Sequence, residues 1–303
     1  MSRHVAVLMG GWSSEREVSL VSGAACAKAL GEEGYRVSEI DVDRNLAGVL
    51  EELRPDVVFN ALHGRWGEDG CVQGLLEILG LPYTHSGVRS SALAMHKPSA
   101  LEIFRCLGIP CPEGRVVGID EVNRRDPLPR PYVVKPVAEG STCGVRIVRP
   151  GDNAPPIAAD WPYEDDLLAE CFIPGRELTV AVMDGGALGV TEIRPHGGFY
   201  DYEAKYTDGK ADHFVPAPIH ADVYAEAMRL AEQAHAALGC RGVSRADFRY
   251  DDTAGEPGRL YMLEVNTQPG MTPLSLVPEI AAYREIGFGA LVRWMVEDAG
   301  CAR

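Results

Sequence analysis

The chain has 303 residues, 44 acidic and 29 basic, for a formal net charge of −15. That length suits two domains of ordinary size, and 46% hydrophobic with 24% charged residues argues for packed globular cores over disorder. The acidic balance excludes a protein whose main task is to coat nucleic acid, but leaves room for a phosphate ligand held by a few local cations.

No segment approaches the roughly 18 consecutive apolar residues of a membrane span. The run Val5 to Met9 stops at Gly10-Gly11, too soon for the core of a signal peptide, and reads as a buried first strand. The eight cysteines, at 26, 71, 106, 111, 143, 171, 240 and 301, show no C-x-x-C spacing and no clustering with histidine. Neither a zinc site nor a disulfide framework is expected, and the thiols read as reduced groups of a cytoplasmic protein. Only five of the basic residues are lysine: Lys28, Lys97, Lys135, Lys205 and Lys210. Chance explains that bias as well as lysine kept where a compact ammonium is wanted.

Residues 1–90 alternate strand and helix. Val5–Met9, Tyr35–Val42, Asp56–Leu62 and Leu81–Thr84 read as strands, with helical spacing over Glu17–Leu30 and Gly70–Leu79. This rhythm predicts a small parallel sheet whose ligand groups lie at strand carboxyl ends, where Gly10-Gly11 and His63-Gly64 fall. A helix over Ser91–Leu107 then leads into strands at Tyr132–Pro136 and Val145–Val148, joined by the small-residue loop Glu139–Gly144, with Asn123–Pro131 a surface loop before them. Further strands follow at Leu178–Met183 and Leu188–Ile193, then a long loop over Arg194–Pro218. Last come an alanine-rich helix at Ala221–Leu238, strands at Ser244–Tyr250 and Leu260–Val265, and a helical stretch around Tyr283–Glu297.

Five constellations could carry chemistry. In Gly10–Glu17 the pair Ser14 and Glu17 fits a capping box, while Glu15 is free of that duty and suits a cationic ligand group; structural and functional readings stand equal. The G-x-G-x-x-G and G-x-x-x-x-G-K-[ST] spacings are absent. In His63–Gly70, three glycines mark a turn and the histidine is either a satisfied structural group or a ligand contact. The hairpin Lys135–Gly144 joins a strand-end lysine to a loop small enough for backbone N–H groups to approach phosphate, although an ordinary turn is preferred for it in isolation. Glu170 and Glu177 flank a Pro-Gly linker suited to a purine and a ribose. The strongest signal is Ser244–Phe248 with Glu264–Asn266. Alternation puts Arg245 with Asp247, and Glu264 with Asn266, on common strand faces, a hard-oxygen set suited to Mg²⁺. Buried acids without a metal would need Arg245 to neutralise both.

The conjunction resembles the ATP-grasp carboxylate–amine ligases, and within them the D-alanine–D-alanine ligases, nearly end to end. The specific stretches are His63-Gly64 with Gly67–Gly70, Asp201–Tyr206, and Glu264–Thr267 with Pro269–Thr272. The resemblance implies a mixed α/β and α+β chain: an ATP-grasp fold behind an N-terminal Rossmann-like parallel sheet. Its implied units are 1–93 for substrate, 94–177 with the phosphate hairpin, and 178–303 with the metal site and closing loop. It implies ATP-dependent joining of two D-alanine molecules through a D-alanyl phosphate, for peptidoglycan precursors, by a cytoplasmic homodimer with no nucleic-acid or membrane partner.

Residue by residue, the resemblance gives Glu15 the ammonium of the first D-alanine, with His63 nearby. Lys97 and Lys135 would bind ATP phosphates, and Glu170, Ile173 and Glu177 adenine and ribose. Asp247, Glu264 and Asn266 would bind two Mg²⁺ or Mn²⁺ ions. Arg245 and the Gly270 amide would stabilise the oxyanion, and Ser275 and Leu276 would meet the second D-alanine's carboxylate. Lys205 and Tyr206 would come from a closing loop, with Tyr206 reaching Glu15 and Ser141. Departures from the family pattern stand at His85 for Gly, His96 for Asp, Leu101 for Lys, Cys171 for Lys and Gln268 for Ser. Competing readings are a ligase for another acid and amine, disfavoured by the Asp201–Tyr206 loop; a catalytically dead nucleotide-binding module, disfavoured by the complete metal set; and a nicotinamide oxidoreductase, disfavoured by the missing glycine fingerprint.

Overall fold

The computed structural model describes residues 2–140, 142–158, 161–163, 166–197 and 209–301. The first elements are β1 (His4–Met9), α1 (Arg16–Glu32), β2 (Arg36–Asp41), α2 (Leu46–Leu53), β3 (Val57–Asn60) and α3 (Cys71–Leu79). The strands form a parallel sheet in the order β2-β1-β3. Alternation along β1 gives the sheet two buried faces, Val5, Val7 and Met9 towards α1, and Ala6 and Leu8 towards Leu50 and Leu76 of α2 and α3. The expected strand over Leu81–Thr84 is reduced to one bridging residue, Tyr83, which meets Val58 on one side and Gly300 on the other.

The expected helix over Ser91–Leu107 is two helices, α4 (Val88–Met95) and α5 (Lys97–Cys106). Pro98 has no N–H to carry the ladder across the junction, so the chain turns at His96, whose ring accepts from the Ser99 N–H at 3.4 Å. Then come β4 (Gly114–Val117), α6 (Ile119–Arg124), β5 (Tyr132–Pro136), β6 (Arg146–Val148) and β7 (Leu167–Cys171), an antiparallel sheet in the order β4-β7-β5-β6. The start of the expected loop at Asn123 is thus still helical.

A third sheet holds β8 (Arg176–Met183), β9 (Gly186–Pro195), β10 (Ala211–Phe214), β11 (Val243–Asp251) and β12 (Arg259–Asn266), antiparallel in the order β10-β9-β8-β11-β12. β10 lies within what reads from sequence as one long loop. Helix α7 (Ala221–Leu238) spans the alanine-rich run between the His220 cap and Gly239 at φ +70°. With α5 it covers one face of this sheet through Phe104, Leu230, Phe248 and Met262.

The single helix expected around Tyr283–Glu297 is again two, α8 (Leu276–Tyr283) and α9 (Phe288–Asp298), parted at Arg284–Gly287. Both return to the start of the chain. Val277, Ile280, Leu291 and Met295 share one core with Val5, Val7 and Phe59, and with Ala181 and Val243 of the third sheet. The parallel sheet and the five-stranded sheet are therefore packed through common side chains, which fixes the gap between their ends. The capping box does not form. Helix α1 begins at Arg16 behind Glu15, which makes no side-chain cap. The serine in use is Ser13, whose hydroxyl donates to the His63 carbonyl at 2.7 Å and accepts from the Glu15 N–H at 3.2 Å.

Candidate active site

Strands β11 and β12 pair Arg245 opposite Asn266 and Asp247 opposite Glu264, which puts all four side chains on one face. Arg245 holds Asp247 through two hydrogen bonds of 2.9 and 2.8 Å, and Thr179 donates to the same carboxylate at 2.6 Å. Glu264 is held by Lys97, at 3.4 Å, from the first turn of α5. Asn266 Oδ1 accepts from the Gln268 N–H at 2.7 Å, which orients the amide at the strand end.

Immediately beyond this pair the register shifts, Asp247 facing Glu264 but Phe248 facing Met262. The extra residue is Leu263, and the bulge lets it line the same cleft as its neighbour Glu264. Simple alternation misses Leu263. The signal in the sequence is the spacing of the buried residues Leu260, Met262 and Val265, where a step of two becomes a step of three.

That cleft has a volume of about 490 Å³, within the ordinary range for a small-molecule site. Lys135 crosses it from β5 to Glu170 on β7 at 2.6 Å. The other carboxylate oxygen of Glu170 is buried without a hydrogen-bond partner among the described residues. Three residues on, the Ile173 N–H likewise donates to no group among the described residues. A lone acceptor and a lone donor on one wall suit the amine and ring nitrogen of an adenine edge. Glu177 follows at the start of β8, 3.6 Å from Arg249. Arg249 also donates to the carbonyls of Ile173 at 3.1 Å and Gly175 at 2.6 Å. Burial lowers its guanidinium from the ordinary value, an effect countered by the charges of Glu177 and Asp251.

A second cleft adjoins the first, and both are lined by Lys97, Glu139, Glu177, Asp247 and Glu264. At its far end Glu15, 4% exposed, lays a carboxylate oxygen against two glycines. A Cβ would stand 2.6 Å from that oxygen at Gly64 and 2.7 Å at Gly140. Glu15 thus sits between the turn after β3 and the hairpin after β5, and its charge, after burial, helps push the Cys143 thiol up. His63 lines the same cleft with both ring nitrogens engaged, Nδ1 with Glu68 at 3.2 Å and Nε2 with Ser22 at 2.9 Å. Ser22 also accepts from the Met271 N–H at 3.3 Å, linking the histidine to the segment after β12. There the Gly270 N–H has no acceptor among the described residues. Ser275 Oγ packs where a Gly270 Cβ would be, at 2.8 Å, and accepts from the Thr272 N–H at 2.9 Å; Leu276 follows as the first residue of α8. Ser141, Lys205 and Tyr206, with the Asp201–Tyr206 stretch, lie outside the described residues.

A family model for the D-ala D-ala ligase C-terminus matches residues 103–297, and one for the N-terminus matches residues 49–86. The chain belongs to the D-alanine–D-alanine ligase family. It is 63% identical to the D-alanine–D-alanine ligase of Paramagnetospirillum magneticum over 306 residues, covering 99% of this chain and 100% of that one. Against that of Parvibaculum lavamentivorans it is 60% identical over 305 residues, covering 100% and 99%. The crystal structure of the Bacillus anthracis ligase complexed with ATP superposes with a TM-score of 0.80 at 30% identity, covering 98% of this chain and 97% of that one. The fold is therefore that of these ATP-grasp ligases.

Three of the departures can be placed in the fold. Leu101 is buried in the core beneath α5 and α7. His85, where the D-alanine–D-alanine ligases usually have glycine, adopts φ +69°, a conformation that costs a side-chain-bearing residue about 1–2 kcal/mol. Gln268 is 1% exposed, accepts from Asn60 at 2.7 Å and donates to the Leu62 carbonyl, fastening the segment after β12 to the end of β3.

Proposed function

We propose that the chain joins two molecules of D-alanine at the expense of ATP, to give D-alanyl-D-alanine for peptidoglycan precursors. The observation that carries this reading is the meeting of two clefts on Lys97, Asp247 and Glu264, one with a purine-like edge of unmatched polar groups, the other ending on Glu15. Phosphoryl transfer to an amino acid needs that adjacency.

Glu170, Ile173 and Glu177 receive adenine and ribose, and Lys97 and Lys135 the phosphates. Glu15 holds the ammonium of the first D-alanine with its carboxylate towards the shared wall, and His63, braced by Glu68 and Ser22, supports that end. The carboxylate attacks the γ-phosphorus of ATP to give D-alanyl phosphate and ADP. The neutral amine of the second D-alanine, its carboxylate on Ser275 and Leu276, attacks the acyl carbon, and the tetrahedral adduct expels phosphate. Arg245 and the Gly270 N–H donate to the oxyanion of that adduct. By the family resemblance Lys205 and Tyr206 would belong to a closing loop, with Tyr206 reaching Glu15 and Ser141, that keeps water from the acyl phosphate. Asp247, Glu264 and Asn266 present hard oxygen donors on one strand face and fit two Mg²⁺ or Mn²⁺ ions. Such ions supply charge neutralisation to the transferred phosphoryl group. The units of this machine are 1–93, 94–177 and 178–303, and the reading makes it a cytoplasmic homodimer. No helix among the described residues is long and apolar enough to cross a membrane.

The test is phosphate release from ATP with a panel of D- and L-amino acids, products identified by mass. D-alanine alone should drive release with dipeptide formed in equal amount. Release driven equally by L-alanine, or without dipeptide, would reject the reading.

A further inference from the structure

Arg249 stands outside the roles just assigned, yet it touches three parts of the nucleotide wall. The linker between β7 and β8, Phe172–Gly175, has no cation, and Pro174 contributes no N–H. Its carbonyls at Ile173 and Gly175 are both taken by one guanidinium, at 3.1 and 2.6 Å, and the same group lies 3.6 Å from Glu177. Arginine can do this because its donors lie in a rigid planar fork; lysine offers a single point charge. Arg249 reaches the linker because β11 runs beside β8 with Arg249 opposite Glu177.

The Ile173 N–H and the second Glu170 oxygen are the unmatched pair on this wall. Their separation depends on the path of a short linker with little backbone hydrogen bonding of its own. The contacts that hold its later half come from Arg249. We propose that Arg249 is a positioning residue for nucleotide recognition: it fixes the linker so that the Ile173 N–H meets the purine ring, and it aims Glu177 at the ribose. The role is to prepare the site before ATP arrives, so its effect falls on ATP affinity and base choice. This inference rests on the nucleotide reading of the cleft.

The experiment uses the full chain and two variants, Arg249→Met, close in length but uncharged, and Arg249→Lys. Equilibrium binding of ATP without D-alanine is measured by calorimetry, alongside KM for ATP and for D-alanine and a thermal melt. Two charged hydrogen bonds are removed in Arg249→Met, so ATP affinity should fall about 10–100-fold. KM for D-alanine should move less than about threefold, and the preference for ATP over GTP in kcat/KM should narrow. Arg249→Lys should bind ATP between the two, and if Arg249→Met does not fold, the lysine variant decides. Unchanged ATP affinity, or equal rises in both KM values with a lowered melt, overturns the proposal. Failure of the unmodified chain to bind ATP would instead overturn the nucleotide reading itself.

Discussion

Lys97 Nζ stands 3.4 Å from Glu264 Oε2, so a cation suited to phosphate and an acid suited to a divalent ion hold one another. Two more cation–acid pairs stand beside it, Arg245 on Asp247 at 2.8 Å and Lys135 on Glu170 at 2.6 Å. Each charge is at least partly buried, and each would be costly alone. These three acids are thus each held by a cation, a pairing that nucleotide binding, on the proposed reading, must rearrange. On that reading, drawing Glu264 and Asp247 towards divalent ions would free Lys97 and Arg245 for phosphate and oxyanion.

That exchange predicts coupled binding. Asp247→Asn and Glu264→Gln should each weaken Mn²⁺ binding in the presence of ATP at least about tenfold, and turnover should fall with it. Bound Mn²⁺ can be counted by its paramagnetic signal without reference to activity. Asp247→Asn should also cost about 1–3 kcal/mol of stability, because it removes the counter-charge of a largely buried Arg245. Unaltered Mn²⁺ affinity in both variants would reject the pairing of these acids with a metal.

Much of this site was legible because strand alternation is rigid. Arg245, Asp247, Glu264 and Asn266 could be put on common faces from spacing alone, and α7 was readable from its alanine-rich run and terminal Gly239. What failed depended on contacts distant in sequence or on one local atom. Ser14 looked like a cap, but the hydroxyl that matters is that of Ser13, spent on His63 fifty residues away in the chain. The return of α8 and α9 onto β1 and β3 is a packing fact that no local period encodes. The bulge at Leu263 was encoded, but only as a single lengthened step between buried residues. Arg249 was also within reach of alternation, two residues past Asp247, yet its meaning lies in the linker carbonyls it meets.

Gln268 offers a stability test away from the reacting groups. Substituting the serine common in the family leaves the Asn60 amide with only the Gly67 carbonyl, at 3.1 Å, and removes the Gln268 partner of the Leu62 carbonyl. Gln268→Ser should cost about 1–3 kcal/mol and lower the melting temperature by a few degrees. Its backbone N–H to Asn266 Oδ1 survives the change, so KM for ATP should stay within about twofold. A melt equal to that of the unaltered chain would show that another group, or water, satisfies the amide.

His235 is buried in α7 with Nδ1 2.7 Å from Ser244 Oγ, next to Arg245 in sequence. Burial holds its pKa below the ordinary 6.5, a backbone hydrogen bond with Cys240 opposing only in part. Between the two pKa values the unfolded chain binds the proton and the folded chain does not, so stability rises with pH there. The contribution is complete above about pH 6.5 and is lost as pH falls towards the lower folded value. His235→Gln should flatten the denaturation midpoint between pH 5 and about pH 6.5. An identical slope in the variant would assign the acid limb to other groups.

The position of Glu15 can be tested without altering Glu15. A Cβ at Gly140 would lie 2.7 Å from Glu15 Oε2, too close for contact, and Gly140 has no positive φ that would strain an alanine. The clash is with the end of a flexible side chain, so the fold can absorb it by moving the carboxylate. Gly140→Ala should therefore melt close to the unaltered chain, within about 1 kcal/mol. If Glu15 holds the ammonium of the first D-alanine, shifting it by a fraction of an ångström lengthens a charge-assisted hydrogen bond worth about 1.5–3 kcal/mol. KM for the first D-alanine should rise at least about tenfold, while ATP binding measured without D-alanine changes little. Gly64→Ala is the companion, with the same collision at 2.6 Å but at φ +69°, and should lose stability as well. Should Gly140→Ala raise KM for ATP and leave that for D-alanine unchanged, the hairpin's spacing would serve the phosphates and the role given to Glu15 would fall.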